Sequence, residues 1–391
     1  MINNKTKLLI CRWITTFGLV LQNIALPLVI YKETQSTSLL SLIFVFETLP
    51  WLIVAPLISE KSTNLFSIKN LYIMCDICRA LLTGLLILFI DTPILVVMIF
   101  FFLGVFNSLM ATYNSILIKN FSNEKSLQAF VGIAMGVDDA ISIVAPFIIT
   151  LAASFMIDYR VFIAVNAICL VIASVIAGTM DNTNVIEKKI KSKNNMMISY
   201  QDLFRGKIGF LVVSECLRSL MEGLCIPLFV SYVMEELLAP ERIYTIGEML
   251  NSIAQVVMSF IYIIIMNKKG AKFVINAGAI LIFFALGGLV LNINCEGYLA
   301  LMIIFGAGTS IRQLVGENVF IKKYDVEDLS TKLANFNSLV AMCYVVGYTM
   351  SFFAPSVMSS KMVMFLGGLI VILPTIYDYI NGIFKREKEW I

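Results

Sequence analysis

Twelve apolar runs of about 20 residues, parted by short polar joints, decide what this chain can fold into. They are Leu8 to Tyr31, Leu39 to Ile58, Leu71 to Ile90, Ile94 to Ile118, Ala129 to Ser154, Val161 to Thr179, Ile208 to Met234, Tyr244 to Met266, Phe273 to Asn292, Tyr298 to Ile321, Leu333 to Val357 and Met362 to Ile380. Each is long enough to cross a hydrocarbon core of about 30 Å as a helix at 1.5 Å per residue. Only helices and closed barrels satisfy their backbone polar groups inside lipid, and a barrel would show alternating segments of about 10 residues, which this sequence lacks. With 59% hydrophobic and 14% charged residues, the chain has more apolar surface than a water-soluble core can hide. The first run is too long for a signal-peptide core, and no small-residue cleavage site with a soluble domain behind it follows. The predicted class is therefore an all-α membrane protein with twelve transmembrane helices in two pseudo-symmetric six-helix lobes.

The division falls at the polar insert Asp181 to Lys207, DNTNVIEKKIKSKNNMMISYQDLFRGK. It separates an N-terminal lobe, 1–180, from a C-terminal lobe, 208–391, with 181–207 as linker. IALPLVIY around Pro27 returns as LCIPLFVSY around Pro227, and the fourth and tenth runs share an entry glycine (Gly104, Gly306) and an Ile-Lys exit (Ile118-Lys119, Ile321-Lys322). A parallel repeat of six helices predicts this. Lys and Arg collect on one side, at Lys5, Lys7, Lys61, Lys69, Lys119, Lys125, Lys188 to Lys207, Lys268, Lys269, Lys272, Lys322, Lys323, Lys332 and the tail, against only Lys32, Arg160, Arg242 and Lys361 on the other. Cytoplasmic loops carry that excess, so both termini and the linker are expected in the cytoplasm.

Several chemistries are disfavoured. Histidine is absent, which removes the commonest metal ligand and leaves any proton handling to buried carboxylates. The eight cysteines are scattered, mostly within apolar runs, and read as small buried residues. No metal site, cofactor or nucleic-acid patch is indicated, and no nucleophile-and-base constellation points to an enzyme.

A charge at the bilayer centre costs about 2.5–3.5 kcal/mol on insertion scales, so each one inside a span needs a partner, a proton or water. Glu47 sits near the midpoint of the second run with no basic residue three or four places away; it is either a proton carrier or a partner to another helix. Asp138 and Asp139 in the fifth run point about 100° apart, and two adjacent acids favour keeping one protonated. Glu215, Arg218 and Glu222 form one helical stripe, a fixed strut or a switch, with Glu222 a further proton-coupling candidate and Arg218 a substrate-cavity candidate. Arg312 lies deep in the tenth run beside Gln313, placed to compensate an acid or bind an anionic group. Asn107, Tyr113, Asn114, Asn251 and Gln255 are candidate cavity lining or glue between helices. Asp76 and Arg79, three residues apart, read as a gate or structural pair. Arg12, about one turn into its run, is expected to snorkel, and Glu248, Glu317 and Asp378 to be hydrated near span ends.

The opening RWITTFGLVLQNIALPLVIYKETQSTSLLSLIFVFETLPWLIVAPLI, with IMCDICRALL after it, resembles the major facilitator superfamily, and within it the drug-efflux branch of macrolide efflux pumps and the enterobactin exporter. The resemblance rests on Ala25 to Pro27, Ser36 to Ser38, Leu49-Pro50, Asp76 to Ala80, and on SNEKSLQAF and VEDLSTKLANF before the fifth and eleventh runs. The sequence departs from the family in the loop between the second and third runs, APLISEKSTNLFSIKN, which lacks the usual Asp-Arg clasp and glycines; Tyr113 and Phe130 stand where a basic residue and an Asn are usual.

The resemblance implies export of an amphipathic small molecule (drug, siderophore or peptide-like) from a bacterial cytoplasm by alternating access, driven by proton antiport. Its partners would be cargo, protons and the lipid bilayer, with the chain acting as a monomer. A uniporter or importer without proton coupling, and a membrane-embedded binding or immunity-type protein, stay open as rivals.

Overall fold

In a computed structural model, the described residues are 3–62, 67–121, 124–181, 203–204, 206–291, 293–323 and 326–381. They divide into two compact units, Met1–Lys191 and Ser192–Ile391.

The first unit holds α1 (Asn4–Thr34), α2 (Thr37–Ser62), α3 (Ile68–Leu88), α4 (Pro93–Phe121), α5 (Glu124–Ser154) and α6 (Arg160–Gly178). The second holds α7 (Gly206–Cys225, continued by short irregular helical turns to Glu236), the stretch Glu241–Gly288, α10 (Cys295–Lys323), α11 (Val326–Phe353) and α12 (Ser360–Asn381). Glu241–Gly288 is broken at Gly270, whose φ of 81° and ψ of 163° are not helical, into α8 (241–269) and α9 (271–288). The twelve runs of the sequence thus appear as twelve helices, most starting or ending a few residues beyond the apolar stretch.

Nine of them are long and apolar enough among the described residues to cross a membrane. α2 adds a shorter apolar stretch, Thr37–Leu52. Leu81, Leu88, Ile168, Val175, Phe260 and Phe284 are exposed on the helices, where lipid and not water is the solvent that suits them.

Each unit repeats the same pairings. In the first, α1 packs on α5 and α6, α2 on α4, and α3 on α4 and α6. In the second, α7 packs on α11 and α12, and the stretch carrying α8 and α9 packs on α10 and α12. Contacts of single residues divide that stretch in the expected way: Ser310 of α10 donates to the Gln255 carbonyl of α8, and Asn276 of α9 donates to Asp378 of α12.

Polar ends also alternate. In the first unit Lys7 and Lys69 donate to the terminal carbonyls of α6 at Thr179 (2.6 Å) and Gly178 (2.9 Å), where cations complement the helix dipole. At the other end Arg160 pairs with Glu33 at 2.6 Å.

The linker residues 182–202 and 205, the side chains of 53–66 in the α2–α3 region that departs from the family clasp, and the tail from 382 lie outside the described residues.

Candidate functional site

The first unit contains a cavity of about 340 Å³, within the range of small-molecule sites. Four helices wall it: Leu19 and Asn23 from α1, Glu47, Thr48 and Trp51 from α2, Arg79 from α3, and Asn107 and Met110 from α4. The α2–α4 wall is drawn tight by Gly104, where a Cβ would come within 2.9 Å of the Glu47 carbonyl carbon and 3.1 Å of Pro50 Cγ.

Glu47 and Asn107, read from the sequence as coupling and lining residues, are thereby brought together. Arg79 joins them from a third helix. Its guanidinium also donates at 2.9 Å to Asp76 one turn back, and the two are buried, at 6% and 0% exposure. The second oxygen of Asp76 has no hydrogen-bond partner among the described residues. Asp76 and Arg79 are therefore a pair along one helix whose cation reaches the cavity. Among the described residues, Asn23, Glu47 and Asn107 make no side-chain hydrogen bond within the protein.

The other first-unit candidates stand elsewhere. Asp138 accepts from Arg12 Nε at 3.1 Å and Nη2 at 2.7 Å, a half-buried tie between α5 and α1. Arg12 is therefore held by an acid where the sequence reading had it snorkelling. The other oxygen of Asp138 is buried without a partner among the described residues, and Asp139 is partly exposed. Tyr113 is buried in the apolar cluster of Leu8, Tyr72 and Leu109, and the Asn114 side-chain oxygen is buried without a partner among the described residues.

In the second unit the stripe on α7 is one network. Arg218 donates to Glu215 at 2.8 Å and to Glu222, and Glu222 also accepts from Tyr344 of α11. Close approach of α7 and α11 at Gly223 and Gly347 makes that reach possible. Arg312 of α10 is 1% exposed and bonds the carbonyl (2.8 Å) and the hydroxyl of Ser214, next to Glu215; its Nε and Nη1 have no partner among the described residues. Its stem lies over Gly278 of α9, where a Cβ would meet Arg312 Cδ at 3.3 Å. Two acids and two arginines sum to zero, the arrangement a low-dielectric interior tolerates best.

On α8, Gln255 donates to Asn251 at 3.1 Å and Asn251 to Glu248 at 3.5 Å, one continuous polar stripe. Asp378 is buried, held by Lys272 at 3.2 Å and by Asn276, so a hydrated position does not describe it. Gln313 lies on α10, and its side chain, like that of Glu317, is outside the described residues. No group of side chains able to hold a metal ion occurs among the described residues.

Sequence reasoning passed over Asn23, Thr48, Trp51, Ser214 and Tyr344 as site residues. An amide such as Asn23 in a long apolar run was the available signal.

The profile of the Major Facilitator Superfamily matches residues 8–311. Among solved structures, the nucleoside transporter NupG superposes with a TM-score of 0.75 at 12% identity, covering 99% of this chain and 100% of its own. A D-xylose-proton symporter gives 0.74 at 13% identity, covering 99% and 98%. A bacterial homologue of the iron transporter ferroportin, in its inward-facing state, gives 0.74 at 10%, covering 97% and 98%. At such identities the likeness is one of fold. No curated protein sequence matches the chain.

Proposed function

The chain belongs to the Major Facilitator Superfamily, a multi-pass membrane transporter and not an enzyme, and from that premise we propose that it exports an amphipathic small molecule by proton-coupled antiport. The observation that carries this reading is the wall of the first-unit cavity, where Glu47, on an apolar helix, has no hydrogen bond among the described residues and shares the cavity with Arg79, Asn23 and Asn107. A carboxyl so placed meets the cost of burial by taking up a proton or by binding a cation, and exchanging one for the other couples two fluxes.

In this reading the protein sits in a bacterial cytoplasmic membrane with both termini in the cytoplasm, as the lysine distribution suggests. Export and membership of the drug-efflux branch are supported by the resemblance of the α1–α3 sequence. Asp138 and Asp139 are secondary proton-coupling candidates, and the Glu222–Arg218–Arg312 set is the element of the second lobe whose pairings change during transport.

The test begins with cargo identified by thermal shift of the purified protein. In proteoliposomes an imposed proton gradient should drive that cargo uphill, and a protonophore should abolish the accumulation. Equal flux with and without the gradient would favour the uniporter instead.

A further inference from the structure

We infer that the first-unit cavity is an amine site: it takes a protonated amine carrying a hydrogen-bonding group beside it, either a small amine or the amine head of a larger cargo. The inference rests on the transport reading above and names the chemistry of the cargo that reading leaves open.

Charge comes first. Of the residues lining the cavity, Glu47 and Arg79 are ionisable, and they come from different helices. Arg79 is already neutralised by Asp76 at 2.9 Å, while no ion pair engages Glu47 among the described residues. The sum over Glu47, Arg79 and Asp76 is one negative charge, located at Glu47. An anionic cargo would compete with Asp76 for Arg79 and face Glu47 unscreened. A neutral cargo makes no charge contact with Glu47, which would then have to take up a proton or stay uncompensated in a mostly apolar wall. A cation resolves both.

Hydrogen bonding comes second. Asn23 and Asn107 bring amide donors and acceptors to the same cavity with no partners of their own among the described residues. Asn23 is exposed and Asn107 half-buried along the cavity wall, so both amides are open to bond a polar group next to the cation. A hydroxyl, ether or carbonyl group near the amine meets them.

Shape and polarisability come third. Trp51 lines the cavity, and indole is the best side-chain π partner for an ammonium group. Leu19 and Met110 supply apolar wall. A volume of about 340 Å³ is at the small end for ligand sites, so a large cargo would place only its amine-bearing end here.

The test uses the whole chain in lipid nanodiscs, with Trp13→Phe and Trp390→Phe leaving Trp51 as the fluorescent reporter. The probes are benzylamine, benzyl alcohol and benzoate, alike in size and different in charge. Benzylamine should give a saturable change in Trp51 emission, with the alcohol and benzoate at least tenfold weaker. Glu47→Gln should weaken benzylamine at least tenfold, while Glu33→Gln, an acid outside the cavity, should leave it unchanged. Benzoate binding as tightly as the amine, or unaltered amine affinity in Glu47→Gln, would overturn the inference. Should Glu47→Gln fail to fold, the ranking of the three probes decides alone. Amine binding without any movement of amine in proteoliposomes would sustain the site and refute transport; transport of a neutral or anionic cargo by a protein that ignores amines would do the reverse.

Discussion

The backbone carbonyl of Glu47 fills the space that a side chain on Gly104 would need. A Cβ at Gly104 would come within 2.9 Å of the carbonyl carbon of Glu47, and in the second unit a Cβ at Gly306 would come within 3.0 Å of that of Asn251. The repeat seen in the sequence as two entry glycines is therefore a repeat of helix crossings, with the acid of one unit at the place the other gives to an amide.

Gly104→Ala should force α2 away from α4 and open the cavity wall. Overpacking of this kind costs about 1–3 kcal/mol. The expected result is a lowered melting temperature and weakened cargo binding. Gly84→Ala is the control, because a Cβ there meets nothing within 4 Å, and it should leave melting and binding unchanged.

Arg79→Gln should destabilise more than Gly104→Ala, because Asp76 would be left as a buried, unpaired carboxylate. Breaking a buried pair from one side costs about 3–5 kcal/mol. The double variant Asp76→Asn with Arg79→Gln should recover most of the melting temperature. A double variant no more stable than Arg79→Gln alone would show that the pair is not the reason.

Arg312 and the α7 stripe make a parallel case. Arg312→Met removes one of the two cations from a set that otherwise sums to zero, so it should destabilise; adding Glu222→Gln restores neutrality and should win back part of the loss. A thermal-unfolding double-mutant cycle reads the coupling, expected at about 0.5–3 kcal/mol for groups in one network.

Gly270 holds a backbone conformation that is essentially reserved for glycine. Gly270→Ala should cost about 1–3 kcal/mol through strain alone, since its Cβ would meet open space. Limited proteolysis at the α8–α9 joint is the sensitive readout, and an unchanged cleavage rate would contradict the assignment.

The helices were legible in the sequence because a span is a local property, set by about 20 consecutive apolar residues. So was the repeat, in Pro27 with Pro227 and Gly104 with Gly306. The partners of the charges were not. Arg12 and Asp138 are 126 positions apart, and Glu47 lines the same cavity as Arg79, without an ion pair between them, because α2 and α3 both pack on α4. A search for partners three or four residues away finds Asp76 with Arg79 and the α7 stripe, but it misses every pairing made between helices. Asn23 went unremarked for the same reason: its role depends on which neighbours its helix is given.

The measurement that bears most directly on the central claim compares wild type with Glu47→Gln in proteoliposomes, each at saturating cargo. The account predicts that the variant loses gradient-driven accumulation by tenfold or more, while cargo exchange without a gradient stays within a few fold of wild type. A variant that still concentrates cargo under the proton gradient as wild type does would contradict it.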